Sequence, residues 1–182
     1  LKRMINSAIL TNYNERFRLD NFKCRLFDAG HIPGSNGIFL QHDKCDIFYT
    51  GDIKLNSTRL LHGCNLPSKT DILITESTYS EIDHPERQNE IEKFIREIDE
   101  ALATGEPIIV PVFAIGRAQE VMLILEKYAD RIALDGMAKQ ATEIILNYAS
   151  YVKDPMKLKR IMKKVFWVRS DNDRKRASEK FP

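Results

Sequence analysis

Apolar and polar residues alternate in short runs along the first part of the chain, and turn-forming residues separate the runs. Phe22–Asp28 alternates as a half-buried strand does, and further strands are predicted at 37–41 and 45–50. Glycine and proline residues between 30 and 37 predict a loop after the first of these strands. Residues 71–75 form a compact apolar run, which predicts a short strand buried on both faces.

The apolar spacing changes to a helical period after about residue 80. Apolar residues three and four positions apart predict a helix that begins near Pro85 and ends at Gly105. The elements predicted next are a strand at 107–113, a helix around 121–128, a strand at 131–135 and a helix at 137–150. Strands that alternate with helices in this way indicate a mostly parallel α/β layer.

The last part of the chain is basic. A helix is predicted after Pro155, with an apolar side made of Met156, Leu158, Ile161 and Met162. Residues 165–168 are predicted to form a strand, and residues 170–182 an exposed connection. From residue 150 onward eleven Lys or Arg face four Asp or Glu, a local charge of +7 in a chain of net charge +2, which leaves −5 for the rest. Such a region suits contact with a polyanion such as RNA, but taken alone it more often indicates a solvated helix face with a loop.

The composition excludes several classes of protein. With 43% hydrophobic and 30% charged residues the sequence is typical of a soluble globular protein, and no apolar run approaches the ~20 residues that span a membrane. The three cysteines, Cys24, Cys45 and Cys64, form no C-x-x-C pair, which argues against a disulfide framework and a zinc knuckle. Reduced thiols in a cytoplasmic protein are expected.

Three residues that could bind a metal or take part in catalysis lie at the points where the chain leaves a predicted strand. These are His31, Asp52 and Glu76, and glycines precede the first two. Glycine lets the backbone turn sharply at a strand end, where the rigid strand fixes the loop. An imidazole nitrogen and a carboxylate that can bridge two cations suit Zn²⁺ or Mn²⁺. Ser35 and Ser77 are expected to be hydrogen-bonding loop residues rather than nucleophiles.

Four motifs give the chain a family resemblance. Residues 28–35 (DAGHIPGS) resemble the third metal motif of metallo-β-lactamase-fold nucleases, and residues 49–52 (YTGD) resemble the fourth. Residues 75–79 (TESTY) look like motif A of the β-CASP branch of these nucleases. Residues 111–120 (PVFAIGRAQE) are similar to the segment that opens the β-CASP domain in the cleavage and polyadenylation endonuclease and its archaeal relatives. The motifs occur in family order.

The resemblance implies an α/β fold, with a partial metallo-β-lactamase αββα sandwich in residues 1–80 and most of a β-CASP domain, with a mostly parallel sheet, in residues 81–182. It implies that His31 binds one of two zinc ions, that Asp52 bridges both, and that Glu76, the catalytic acid of motif A, supports a metal-ligand histidine. The implied reaction is hydrolysis of RNA phosphodiester bonds assisted by two zinc ions. Glutamate at motif A resembles the pattern of the pre-mRNA cleavage-factor and archaeal branch, and this resemblance implies RNA rather than DNA as the substrate.

Arg117 has two interpretations. It follows Gly116 at a predicted helix start, where free backbone N–H groups and a guanidinium could hold a phosphate of the nucleic acid. It could equally be a buried arginine that pairs with an acidic neighbour and fixes the two domains together. The other three histidines, His42, His62 and His84, are expected to be surface or structural residues.

The resemblance is incomplete, since the family's upstream His-x-His-x-Asp-His run and its downstream histidine motifs have no counterpart here. The chain is therefore expected to be a central fragment of a cytoplasmic ribonuclease of mRNA 3′-end processing or RNA decay, inactive by itself. The parent is expected to bind single-stranded RNA, to act away from membranes, and to be a homodimer or a subunit of a processing complex. The alternatives are a noncatalytic RNA-binding or scaffold paralogue and a β-CASP nuclease that acts on DNA.

Overall fold

The computed structural model describes residues 8–105 and 107–180, and they form two compact units. The first unit contains the chain up to Ser57 together with Gly63–Ser77. The second unit contains Thr58–His62 and the chain from Thr78 onward. The short segment Thr58–His62 thus leaves the first unit and belongs to the second, which the sequence pattern does not indicate.

The first unit is built on one sheet of five strands in sequence order. The strands are β1 (Arg16–Leu19), β2 (Phe22–Asp28), β3 (Asn36–Gln41), β4 (Asp46–Tyr49) and β5 (Ile72–Ile74). Neighbours from β1 to β4 pair antiparallel, and β5 pairs parallel to β4. The predicted strands at 22–28, 37–41 and 45–50 are therefore confirmed, and the chain has the α/β character expected of it.

Three phenylalanines make the core of this sheet. Phe27, Phe39 and Phe48 are each less than a tenth exposed, and the ring of Phe27 meets those of Phe39 and Phe48 edge to face at 6.1 and 5.8 Å. Edge-to-face packing of this kind adds about 0.5–1.5 kcal/mol per pair to the apolar burial. Phe27 lies on the face of β2 opposite the buried Cys24, so parts of both faces are buried, whereas the alternation predicted one buried face.

The prediction that residues 71–75 form a strand buried on both faces is wrong in its burial. Ile72, Leu73 and Ile74 form β5, but they are 45%, 57% and 50% exposed. Within residues 8–105 and 107–180, β5 pairs only with β4 and ends the sheet, so solvent reaches both of its faces. An apolar run shows that a strand can be buried, not that another element covers it.

The second unit is mainly helical. Its helices are α1 (Arg87–Ala103), α2 (Arg117–Ile124), α3 (Ala138–Asn147), α4 (Pro155–Met162) and α5 (Asp171–Lys180), with 3₁₀ turns at Glu126–Arg131 and Ala149–Tyr151. Two strands, β6 (Ala133–Leu134) and β7 (Phe166–Trp167), pair parallel. The sheet of this unit is parallel as predicted, but it has two strands in the described part of the chain.

Local signals account for the ends of the helices. The side chain of Glu86 caps α1 by accepting from the Asn89 amide at 2.8 Å, and Pro85 lies just before this cap rather than in the first turn. Gly105, with φ of +76°, follows the last turn of α1, as predicted. Asp154 caps α4 by accepting from the Lys157 amide at 2.8 Å.

The core of the second unit joins three helices and the inserted segment. Leu158 and Ile161 of α4 are almost fully buried, and Leu60 from Thr58–His62 packs into the same cluster. Burial of each such side chain contributes about 1.5–3 kcal/mol. Met156, predicted on the apolar side of α4, is 74% exposed, so this part of the prediction is wrong. The side chain lies in the first turn, on the side away from Leu158.

Residues 107–113 do not form the predicted strand. Ile109 and Phe113 are 88% and 83% exposed, and this segment pairs with no strand in the described part of the chain. A strand is defined by its neighbours, and an apolar sequence without a pairing partner remains extended without a ladder.

Residues 170–180 were predicted to be an exposed connection, and most of them instead form the exposed helix α5. Ser170 Oγ accepts from the Asp173 amide at 3.2 Å, and Asp173 Oδ2 accepts from the Arg169 amide at 3.0 Å. This reciprocal cap follows the Ser-x-x-acid pattern that begins many helices. The signal is present in the sequence, so this helix could have been predicted.

Among the described residues no helix is long and apolar enough to cross a membrane. The three cysteines are free thiols, as expected, and Cys24 is buried in the sheet. Burial raises the pKa of the Cys24 thiol, which keeps it protonated and unreactive.

Candidate functional site

The loop after β2 places His31, and Gly30 determines its path. Gly30 has φ of +68°, and a Cβ there would lie 2.4 Å from the Cys64 nitrogen and 2.7 Å from the Lys54 oxygen. The Gly30 amide donates to Asp28 Oδ1 at 2.8 Å, which fixes the turn. Only glycine therefore fits at this point of the loop.

Ser35 closes the His31 loop. Its Oγ accepts from the amides of His31 and Ile32, both at 3.2 Å, and its carbonyl accepts from the Ala29 amide at 3.1 Å. Ser35 is therefore a hydrogen-bonding loop residue, as expected, and its hydroxyl faces backbone rather than a general base.

Asp52 stands on the loop after β4, next to the His31 loop. Gly51 turns the backbone with φ of +59°, and the Lys54 amide donates to the Ala29 carbonyl at 2.9 Å, which ties the two loops together. As a result His31 Nε2 and Asp52 Oδ2 lie 3.9 Å apart, with their side chains 46% and 76% exposed. The structure brings together the two residues predicted to be metal ligands.

Glu76 follows β5 and holds the Asp52 loop. Its Oε1 accepts from the Ile53 amide at 2.9 Å, directly beside Asp52. The buried Thr50 strengthens this connection, because its amide donates to the Ile74 carbonyl at 3.0 Å. The resemblance implies that Glu76 supports a histidine ligand, whereas the contact seen here positions the backbone that carries Asp52.

The donor set at this site suits zinc but is not complete in the described residues. Because each zinc–ligand bond measures about 2.0–2.2 Å, one ion can lie within bonding distance of both His31 Nε2 and Asp52 Oδ2. A catalytic zinc takes about three protein ligands, and no group of three or more His, Cys, Asp or Glu side chains that could hold a metal occurs among residues 8–105 and 107–180.

Arg117 belongs to the second unit and begins α2. The turn before it is fixed by Gln119, whose Oε1 accepts from the Gly116 amide at 2.7 Å and whose Nε2 donates to Thr142 Oγ1 at 2.7 Å. Arg117 itself is exposed and makes no ion pair with the described residues. Its role in holding a phosphate stays a prediction.

The buried acid of this unit is Glu120, whose partners the sequence pattern does not reveal. Its two carboxylate oxygens accept from the amides of Arg59 and Leu60, both at 3.1 Å, and Oε1 also accepts from Arg87 Nη2 at 2.8 Å. Glu120 thereby fixes the inserted segment Thr58–His62 against α1 and α2. A charged residue directly followed by the apolar Val121 and Met122 on a short helix is the signal that could have identified it.

Glu120 also makes the stability of the second unit depend on pH. Burial by itself raises the pKa of Glu120, but hydrogen bonds from Thr58, the Arg59 amide and Arg87 outweigh it, so the pKa lies below its usual value of 4.5. The charged carboxylate therefore stabilises the fold fully above about pH 4.5, and this stabilisation is lost as the pH falls below that value through the folded-state pKa.

We expect Glu120→Gln to remove this pH-dependent part of the stability. The free energy of unfolding of the variant should then fall less steeply on acidification than that of the parent. Urea unfolding over an acidic pH series, followed by the fluorescence of Trp167, the single tryptophan and a residue of the second unit, checks this. Identical pH profiles for the variant and the parent would contradict it.

Comparisons with known proteins identify relatives of the chain. No protein-family model matches it. The chain is similar to the probable RNase MJ4 of Methanocaldococcus jannaschii, with 41% identity over 98% of this chain and 43% of that protein. It is similar to RNase aCSPSF2 of Saccharolobus solfataricus, with 32% identity over 97% of this chain and 37% of that protein. It is also similar to endoribonuclease ysh1 of Schizosaccharomyces pombe, with 35% identity over 64% of this chain and 16% of that protein.

These relatives are named as ribonucleases, and the first two match the chain over nearly its whole length. The fold, the motifs in family order and this similarity define a homologue of RNA-cleaving enzymes. The chain belongs to the β-CASP family of metallo-β-lactamase-fold nucleases, in the group of the archaeal cleavage and polyadenylation endonuclease-like proteins. The predicted family is confirmed, and the chain spans about two fifths of the length of the first two relatives.

Proposed function

We propose that the chain carries part of the active centre of a zinc-dependent ribonuclease that acts in mRNA 3′-end processing or RNA decay. The observation that carries this proposal is the pair of His31 Nε2 and Asp52 Oδ2, 3.9 Å apart on two loops that a backbone hydrogen bond joins. The names of the relatives support RNA as the substrate and hydrolysis as the reaction. We also propose that the parent protein binds single-stranded RNA, acts as a homodimer or as a subunit of a processing complex, and is located in the cytoplasm.

Each residue has a defined part in this proposal. His31 and Asp52 hold zinc with an imidazole nitrogen and a carboxylate oxygen, and Glu76 keeps Asp52 in place through the Ile53 amide. Bound zinc supplies Lewis-acid neutralisation of the charge that develops on the phosphate. Arg117, exposed at the start of α2, contributes a guanidinium to the sugar-phosphate backbone. The residues from the first strand to Ser77 correspond to a partial αββα sandwich, and those of the second unit to a β-CASP domain.

The 182-residue chain by itself is expected to bind zinc weakly and to leave RNA uncut. Two donors cannot replace the three or four that a stable zinc site requires. Plasma mass spectrometry after dialysis should find well under one zinc ion per chain, and a labelled single-stranded RNA should remain intact. Two tightly retained zinc ions per chain would overturn this expectation.

A chimaera tests the proposed roles of the site residues. In this chimaera the matching segment of the M. jannaschii relative is replaced by this chain, and the rest of that relative is expected to supply the ligands that the described residues lack. In that chimaera we expect Glu76→Ala to lower zinc affinity or RNA cleavage about 10–100-fold, as loss of an outer carboxylate does, and Asp52→Asn to lower both further.

Asp43→Asn, in the exposed turn between β3 and β4, is the matched control and should leave cleavage unchanged. If Asp52→Asn cleaves RNA as fast as this control, the proposed site is wrong. Comparing matched RNA and DNA single strands decides the substrate, since DNA cut as well as RNA would favour the DNA-directed alternative. A chimaera that binds RNA without cutting it would favour the scaffold.

A further inference from the structure

One face of the hairpin formed by β1 and β2 carries four cations side by side. The strand register places Arg16 opposite Arg25 and Arg18 opposite Lys23. Residues opposite each other on paired strands, and residues two apart on one strand, share a face of the sheet. The four side chains therefore lie together, and with Gln41 of β3 they line a surface groove of about 380 Å³, which we call the hairpin groove.

The protein does not neutralise these charges. Among residues 8–105 and 107–180, no carboxylate lies within 4.0 Å of any of the four cations. Arg25 Nε is enclosed and has no acceptor in that part of the chain. The nearby acid Glu15 instead accepts from the amide and side chain of Asn12.

Part of the basic end of the chain shows the opposite arrangement. Among the described residues there, Lys157, Arg160, Arg169, Arg174 and Arg176 each pair with an acid. Intramolecular ion pairs neutralise much of the charge of these side chains, and the acidic partners include Glu126, Glu143 and Asp135. Each of these five cations thus has an acidic partner, whereas none of the four on the hairpin groove has one among the described residues.

Two cross-strand pairs of like charge destabilise a hairpin, by up to about 1 kcal/mol each. Charge on an edge strand is one way of preventing aggregation, and this accounts for Arg16 and Arg18 on β1. It does not account for Lys23 and Arg25, because β2 is an inner strand flanked by β1 and β3. An anionic ligand that bridges both strands accounts for all four.

We propose that the hairpin groove binds the phosphates of a single-stranded RNA and leads the strand towards the His31 loop. This inference rests on the proposed ribonuclease function. β2 runs from Arg25 to Asp28, about 10 Å at 3.3 Å per residue, and continues directly into that loop. The Arg25 guanidinium carbon lies 5.5 Å from the centroid of Phe27, which holds the side chain in place and limits the entropy lost on binding. Contacts of this kind position a strand without reading its sequence.

The salt dependence of RNA binding tests the proposal directly. The slope of log affinity against log salt changes by about 0.7 for each phosphate contact with a single strand. In the 182-residue chain, the fourfold variant Arg16→Gln, Arg18→Gln, Lys23→Gln, Arg25→Gln should reduce the slope for a labelled oligouridine by about 3, measured by fluorescence anisotropy. The pair Arg16→Gln, Arg18→Gln alone should reduce it by about half as much.

The matched control removes the same charge from the second unit. It replaces four exposed lysines that form no ion pair with the described residues, namely Lys159, Lys163, Lys164 and Lys175. This control should keep most of the parent slope. The hairpin groove is excluded if the parent shows no binding, or if the control loses as much slope as the hairpin variant.

Two further measurements keep the outcome unambiguous. The hairpin variant should unfold at the same or a higher temperature than the parent at low salt, because it removes like-charge pairs. Replacing Arg16, Arg18 and Arg25 by lysine should preserve the slope, and a slope lost with the charge intact would overturn the proposal. A chimaera that binds RNA with the parent slope but cuts nothing would defeat the ribonuclease proposal and leave this one standing.

Discussion

Glu120→Ala is expected to lower the free energy of unfolding of the second unit by about 3 kcal/mol. The substitution leaves the buried Leu60 amide and the Arg59 amide without their acceptor, and each unsatisfied buried group costs about 1–3 kcal/mol. It also leaves Arg87 without its partner. Because the Arg87 side chain is 43% exposed, water compensates part of that loss, and the total stays at the lower end of the range for a broken buried pair.

The measurement is urea unfolding followed by Trp167 fluorescence at neutral pH, where the slope against denaturant shows whether the transition stays comparable. Glu120→Gln should lie between the parent and Glu120→Ala, because an amide oxygen keeps one acceptor but carries no charge for Arg87. Glu126→Gln is the control, since Glu126 is 41% exposed and its ion pairs with Lys157 and Arg160 contribute at most about 1 kcal/mol. A loss for Glu120→Ala no larger than that of the control would show that Glu120 does not hold the inserted segment.

The parts of the fold that the sequence predicted are those set by local chemistry. Strands β2, β3 and β4 follow from alternation and turn residues, and α1 follows from its apolar period and from Gly105. The errors concern partners. Residues 71–75 and 107–113 have the composition of strands. Neither alternation nor propensity shows whether another element packs on such a segment, and in this structure both segments are largely exposed to solvent.

The same distinction holds for the candidate site. The glycine turns that follow two strands predicted the positions of His31 and Asp52 on neighbouring loops. In the folded chain these two side chains lie close together. The contact of Glu76 with the Ile53 amide joins residues 23 positions apart, so only the folded chain shows it. The hairpin groove was missed for a related reason. Net charge per segment pointed to the C-terminal third, whereas register decides which cations lie together and ion pairing decides which remain free.

Gly30→Ala is expected to destabilise the first unit by about 3 kcal/mol and to displace His31. About 1 kcal/mol comes from placing a side chain at φ of +68°. The remainder comes from overlap of the new methyl with the Cys64 nitrogen and the Lys54 oxygen, which are backbone atoms of neighbouring loops and cannot rotate away. Relief of the overlap must push the loops apart, and the same loops carry His31 and Asp52.

Gly34→Ala separates these two causes. Gly34 also has a positive φ, +87°, but no atom lies within 4 Å of a Cβ there, so only the conformational cost of about 1 kcal/mol remains. Hydrogen exchange of the β2 and β3 amides measures the stability of the first unit in each variant. In the chimaera with the M. jannaschii relative, Gly30→Ala should also lower RNA cleavage by about 100-fold, as a misplacement of about 1 Å at a reacting centre does. Similar losses for the two alanine variants would mean that the close approach of the loops at Gly30 does not position the metal ligands.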